Sequence, residues 1–506
     1  MKKTTRLLCT LLCMGMLLSA FAACSEKTPP QTAETTAAPG AESETRPAET
    51  QPAEADSSKR ENAKDSLPDD LKLNGMQIHI HSFDNEKIDI IGDNEISGDV
   101  LHDAVYQRTR RVMERLDVDI IWADSKTAKW QDFSSELNTT ILAGADEWQI
   151  VFAMGNATIQ KNLDALFTDL SSAKYLDFSQ PWWWQDAMEE VSFDSVERKF
   201  LVGDIALSNF TASGAYFFNK NLYTDTFGNA DDLYKTVIDG KWTYDTLQQI
   251  AAQAYRDING NGLVDEGDLY GLRFANAEFL KHAEYSTDIR HFRRDDQGFP
   301  VIDYDTQRAQ EAVDAMYSLL YETQGVIYQA ENLNRSIFPN RGTLFYARHL
   351  GEVLRNELRS MEDDYGILPY PKLDEQQADY RGLLHNSSNY VTVPITVLQV
   401  DEVSAVIEAL CAESYRSVVE IFYDTALKTK YSRDAYSGQC IDIIRDTTRK
   451  SFLYEYNSRF GCGNVVADCI GAGNTNFAST YANSVNASNK KIEKAVIKFL
   501  DEKENN

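Results

Sequence analysis

Between Met76 and Met154 the chain alternates strand and helix patterns, and that alternation limits its fold more than any other stretch. Met76–His81 alternates apolar and polar residues, as a strand exposed on one face does. Leu101, Val105, Val112 and Leu116 then recur at helical spacing, and Val118–Trp122 reads as a second strand. A second helix over Phe133–Leu142 stops at Gly144, and Trp148–Met154 is a third strand. Strand–helix–strand–helix–strand predicts a parallel sheet with right-handed crossovers. In such sheets ligands sit beyond the carboxyl ends of the strands, which points to Phe83 after the first strand and Asn156 after the third.

The chain ahead of this region has a different character. Lys2, Lys3 and Arg6 precede an apolar run, Leu7–Leu18, too short to span a bilayer. Phe21–Ala22–Ala23–Cys24 follows, with small residues before a cysteine, and resembles a bacterial lipobox. It implies cleavage and lipid attachment at Cys24; ordinary secretion is the other reading. Residues 25–68 are Thr, Ala, Pro, Glu and Ser with few large apolar side chains. They cannot bury enough surface to offset ordering entropy, so a tether is expected, with an end-to-end distance of about 35–40 Å. The net charge of −28 argues against nucleic acid, whose phosphates would repel the protein. Cys411, Cys440, Cys462 and Cys469 remain after the leader. Export permits a Cys462–Cys469 disulfide, and free buried thiols are the alternative.

Lys199–Tyr223 reads as a crossing between two lobes. A strand signal at Phe200–Val202 and a turn at Gly203–Asp204 lead to an extended run, Ile205–Phe210. A small polar patch, Thr211–Gly214, precedes a buried strand, Ala215–Phe218, and a helix near Asn221. Five further motifs keep a fixed order: Leu166–Leu170, Lys241–Leu247, Tyr270–Leu272, Phe338–Ala347 and Tyr365–Lys372. Thr243 suits a helix cap and Asp245 the positive end of that helix. Together with Phe218–Asn219–Lys220–Asn221–Leu222, these motifs resemble those of bacterial extracellular solute-binding proteins of the family 1 type, the receptors of ABC importers. The sequence departs from that pattern in having Phe218 for a tyrosine and in lacking the proline usual in the crossing.

The resemblance implies an α/β, two-lobed periplasmic-binding-protein-like fold of type II, each lobe a mixed sheet flanked by helices. It implies a first lobe over 69–208 and a second over 209–388. The chain would return to lobe one over 389–430 and end in lobe-two helices over 431–506. His385–Pro394 is the expected second crossing, followed by two helices, Val400–Cys411 and Ala412–Tyr423. Arg433 and Asp434 read as a local ion pair ahead of a helix over Ser437–Asp446. The implied function is a membrane-anchored, extracytoplasmic, monomeric receptor without catalysis. It would close on a carbohydrate, in particular an oligosaccharide, and deliver it to a permease. Strand-end and crossing positions give Phe83, Asn156, Trp183, Thr211, Tyr216, Asn386 and Tyr390 as ligand contacts. Trp183 belongs to the run Pro181–Trp184, and indole faces stack well on sugar rings. A peptide or other polar solute, or a secreted carbohydrate-active hydrolase, is the rival reading. The hydrolase would need two carboxylates facing one bond, and the chain has none of the GxSxG, HExxH or P-loop motifs.

Asp257–Asp268 is the sharpest local motif. It places Asp257, Asn259, Asn261, Asp265 and Asp268 at positions 1, 3, 5, 9 and 12 of an EF-hand-type loop. Gly262 takes the turn position and Leu263 offers its carbonyl. Structural Ca²⁺ is one reading; a turn held by Asx hydrogen bonds is the other.

Overall fold

The computed structural model of the protein describes residues 60–504 except 84–85, 94, 128, 162, 266, 330–334 and 424–434. The leader, Cys24 and the pair Arg433–Asp434 lie outside the described residues. Residues 60–68, expected to finish the tether, instead lie against the body. Asp65 makes a bidentate ion pair with Arg115, with both distances 2.7 Å, and a second one with Arg416 at 3.3 Å; Leu67 is buried.

Nine strands form two mixed sheets. They are β1 (Met76–His81), β2 (Val118–Ala123), β3 (Ile150–Met154), β4 (Gly214–Asn219), β5 (Tyr270–Ala275), β6 (Val326–Gln329), β7 (Thr343–His349), β8 (Tyr365–Leu368) and β9 (Asn389–Thr392). The first sheet has the order β9-β3-β1-β2, with β1 parallel to β2 and β3, and β9 antiparallel to β3. The second has the order β8-β4-β7-β5-β6, antiparallel across β8, β4 and β7 and parallel across β7, β5 and β6. Every residue of β3 and β4 is buried, as strands covered on both faces require.

Local chemistry sets the helices between them. Asp99 caps Val100–Leu116 by accepting from the N–H groups of Leu101 and His102. Thr243 caps Tyr244–Ala254 through the N–H of Thr246, and Asp245 sits in its first turn. Gly271 lets β5 pass under this helix: a Cβ there would lie 1.8 Å from the Ala251 carbonyl oxygen. Trp242 is fully buried beside the cap, donates from Nε1 to the Pro369 carbonyl at 2.9 Å, and packs on Phe345 and Tyr216.

Three local expectations change. Ile205–Phe210 is not extended; Ser208–Thr211 forms a helical turn, held by Asn209 Nδ2 donating to the Gly203 carbonyl at 2.8 Å. The expected helix pair after residue 400 is one rod. Val400–Glu413 continues through wide turns at Ser414–Val418 into Val419–Ile421, with Ser414 tied to the buried Arg108. Cys462 and Cys469 do not pair; the four cysteines among the described residues are buried and form no disulfide, and Cys462 turns its Sγ to Ser484. Replacing Trp242 by Ala should cost about 3–5 kcal/mol, the range for large buried aromatics, measured by denaturant unfolding.

Candidate functional site

Register brings the carboxyl ends of both sheets to one seam. Gly214 pairs with His349, so β4 starts where β7 ends. Asn389 pairs with Met154, so the second crossing runs into β9 where β3 ends. The helix Asn276–Ser286 follows directly on β5. Backbone bonds join the crossings: the Leu350 N–H donates to Ser213 and the His385 N–H to Ala212. A C-terminal turn joins the seam, since Gly382–Leu383 pairs with Thr448–Arg449 and the helix Phe452–Glu455 follows.

The seam is buried, polar and charged. His282 Nε2 lies 3.0 Å from His349 Nε2. Burial pushes His282 down to about 3 and His349 well below its usual range, with the neighbouring His385 adding to both. The two rings are therefore neutral and share one hydrogen bond. His385 pairs with Glu278, which also takes Lys281 Nζ at 2.9 Å and the Tyr454 hydroxyl at 3.3 Å. Burial would raise Glu278, but the His385 and Lys281 contacts outweigh it and hold the carboxyl far below its usual range.

A second ion pair lies beside it. Lys450 Nζ donates to Glu455 Oε1 at 2.8 Å and to Ser388 Oγ at 2.6 Å, both partners of the pair being fully buried. It also sits 4.6 Å over the Tyr390 ring. Gly155 makes room for this group, because a Cβ there would lie 2.2 Å from Glu455 Oε2. Nearby, Asn389 Nδ2 donates to Glu86 at 2.9 Å, and burial with the Asp89 charge raises Glu86 to about 7.

Among the residues expected to touch a ligand, Asn156, Asn386 and Tyr390 meet at this seam. The Asn156 N–H donates to the Asn386 carbonyl at 3.3 Å, and the Asn386 N–H donates to the Tyr454 hydroxyl at 3.4 Å. Tyr390 is fully buried under Lys450 and Glu455. Tyr216 lies one layer deeper, in the lobe-two core: its ring packs on Tyr370, which stacks on His282. Phe83 is half-buried just past β1, edge-on to Phe133. Thr211 lies under Gly351, where a Cβ would come within 2.9 Å of it. Trp183 is away from the seam residues, in the wall of a separate recess, with Nε1 donating to Glu408 at 2.9 Å.

Sequence reasoning missed Glu278, His282, His349, Lys450, Tyr454 and Glu455 as site residues and placed His385 only in a crossing. A usable signal was present. Three of the chain's seven histidines follow β5, end β7 or open the second crossing, the strand-end positions where ligands bind.

The Asp257–Asp268 loop keeps the expected turn. Gly262 has φ +74°, and both Asp257 oxygens accept backbone N–H groups, from Gly260 and Gly262. Asn259 and Asn261 donate to Asp265 at 2.9 and 2.6 Å, the bonds of an Asx-held turn. Asp268 Oδ2 accepts from Tyr255, whereas Oδ1 is buried without a hydrogen-bond partner. The oxygens of Asp257, Asn259 and Asn261 accept backbone N–H groups, Asp268 keeps one carboxylate oxygen without a partner, and among the described residues no three acidic, histidine or cysteine side chains gather as a metal centre.

No family model matches the sequence, and no curated protein matches it. The fold does match solved structures. A cyclic α-maltosyl-1,6-maltose binding protein from Arthrobacter globiformis aligns with TM-score 0.54 at 11% identity, over 83% of this chain and 100% of that one. An ABC transporter solute-binding protein from Thermotoga lettingae, bound with α-D-tagatose, aligns with TM-score 0.51 at 12% identity, over 83% and 100%. The chain has the solute-binding-protein fold. A cyclo/maltodextrin-binding protein complexed with maltotetraose aligns with TM-score 0.50 at 11% identity, over 86% of this chain and 99% of that one. In this solute-binding-protein fold the polar seam lies where the strand ends of both lobes converge.

Two outcomes follow from the seam's electrostatics. Lys450→Met leaves Glu455 buried without its cation and should cost about 3–5 kcal/mol, while Lys450→Met with Glu455→Leu recovers most of it in denaturant unfolding. Glu86 is raised above its unfolded value, so the folded state holds more protons between about pH 4.5 and 7 and wild-type stability falls as pH rises through that window. Glu86→Gln should therefore gain on wild type by on the order of 2 kcal/mol between pH 5 and 7, read from paired denaturation curves.

Proposed function

We propose that the chain is the solute receptor of an ABC importer, held at the extracytoplasmic membrane face through lipid on Cys24. It captures a neutral oligosaccharide between its lobes and delivers it to a permease. The observation that carries this reading is the seam itself. Strand ends from both sheets, both crossings and the Thr448–Glu455 turn all contribute polar groups to one buried place. Opening the lobes would free Asn156 and the Asn386 region on one side, and Glu278, His385 and Tyr454 on the other, for sugar hydroxyls. Amides, a carboxylate and a phenol offer both donors and acceptors, as paired hydroxyls need. Glu278, held ionised by its contacts with His385 and Lys281, suits hydroxyl acceptance and not proton donation, which favours a receptor over a hydrolase.

We also propose that Asp257, Asn259, Asn261, Asp265, Asp268 and the Leu263 carbonyl hold a structural Ca²⁺. It would bind the orphaned Asp268 oxygen and fix the loop between the helix Tyr244–Ala254 and β5.

A saccharide at 100 times its Kd should stabilise the protein by about 2.7 kcal/mol, a visible shift in thermal midpoint. Glu278→Ala should weaken that saccharide at least tenfold, and no product should appear on long incubation. Turnover of the sugar, or shifts with peptides alone, would sink the reading. Removing Ca²⁺ with a chelator should lower the midpoint in wild type and not in Asp257→Ala; an unchanged wild-type midpoint rules the metal out.

A further inference from the structure

A recess of about 640 Å³ lies between the Trp183–Trp184 end of the tryptophan run and the turn after the helix Ala435–Thr447. Its lining meets the seam only at Thr448 and Arg449, and its volume is in the range of small-molecule sites. Aromatic groups form one side. Trp184 is half-buried with its plane fixed twice: Nε1 donates to Asp204 Oδ1 at 2.8 Å, and the ring meets Phe210 edge-on at 5.7 Å. Tyr415 lines the same side, with the Arg60 guanidinium 4.7 Å over its ring.

Planar charged groups form the rest, and they balance. Three arginines, at 60, 445 and 449, face three aspartates, at 186, 204 and 446. A chain of net charge −28 thus has a recess with no formal excess of either sign. Burial raises Asp204 to about 7, so the recess lies near charge balance and has no strong net pull on an ion. It offers forked donors and acceptors beside indole and phenol faces, the pairing that a sugar ring, apolar on its faces and hydroxylated at its rim, requires. Asp204 is buried and gives only one oxygen to Trp184. Arg449 reaches the exposed Asp186 only at 3.7 Å through Nε and spends Nη1 on its neighbour's carbonyl, which leaves Nη2 to turn to a better-placed oxygen.

We propose that this recess is a second saccharide site, taking one ring of a neutral oligosaccharide against Trp184, with Asp204 and Arg449 on its hydroxyls. The sugar class is shared with the receptor reading, on which the proposal rests in part; the Trp184 side of the recess lies apart from the seam, which the recess meets at Thr448–Arg449.

The test is calorimetric titration of the full secreted chain with maltotetraose, cellotetraose, xylotetraose and mannotetraose, with tryptophan fluorescence alongside. Two sites are expected for one of these sugars. Trp184→Ala, and independently Tyr415→Ala at the half-buried recess tyrosine, should weaken one site at least tenfold and leave the other within twofold. Glu278→Ala should do the reverse. Tyr415→Ala keeps the test decisive if Trp184→Ala fails to fold. A single site lost in Glu278→Ala and untouched by both recess variants overturns the proposal and leaves the receptor reading standing. A single site lost in the recess variants and kept in Glu278→Ala supports the recess and removes the seam as the site. No binding of any of the four sugars overturns both.

Discussion

A reversal of strand direction governs how the two sheets meet. If β4 ran parallel to β7, the first crossing would reach the far end of the second sheet. Because it runs antiparallel, with Gly214 opposite His349, the chain enters lobe two at the same end where β7 and β5 deliver their last residues. The second crossing repeats this in lobe one, where β9 runs antiparallel to β3 from Asn389 opposite Met154. Two antiparallel insertions in otherwise parallel sheets place strand ends, crossings and polar side chains together. The site is thus a product of topology before it is a product of any particular side chain.

Low dielectric then decides what those side chains must do. A lone charge in such a place would be too costly, so each one has a partner: Glu278 with His385 and Lys281, and Lys450 with Glu455. The histidines without an acid beside them stay neutral and bond to each other. Such pairs exchange partners more readily than an apolar core, because a ligand hydroxyl can replace one hydrogen bond with another. The seam therefore combines tight packing with hydrogen bonds that could be re-formed to other polar groups.

Much of this was legible in the sequence. Period-two and helical spacing located β1 to β3, because those signals are local and repeated, and capping chemistry located Thr243 at the head of its helix. The side chains of the site were harder to read. Asn156 and Asn386 follow from strand ends alone, yet Glu278 and Tyr454 lie 176 residues apart and bond at 3.3 Å beside the pairing of Gly382–Leu383 with Thr448–Arg449. Tyr216 illustrates the opposite error. It stands in the crossing strand, but the pleat sends its ring into the layer beneath with Tyr370 and Trp242, and no one-strand pattern tells one face of a doubly covered sheet from the other. Trp183 was singled out for its indole, whose N–H is committed to Glu408; the half-exposed neighbour, Trp184, has the freer face.

Asp65 has a mechanical consequence. Its carboxylate grips Arg115 at the end of one lobe-one helix and Arg416 in the rod that packs beside it. Any pull on the segment ahead of Asp65 is therefore divided at one carboxylate between two helical elements that pack on each other, so the load spreads sideways through the body instead of peeling a single element away.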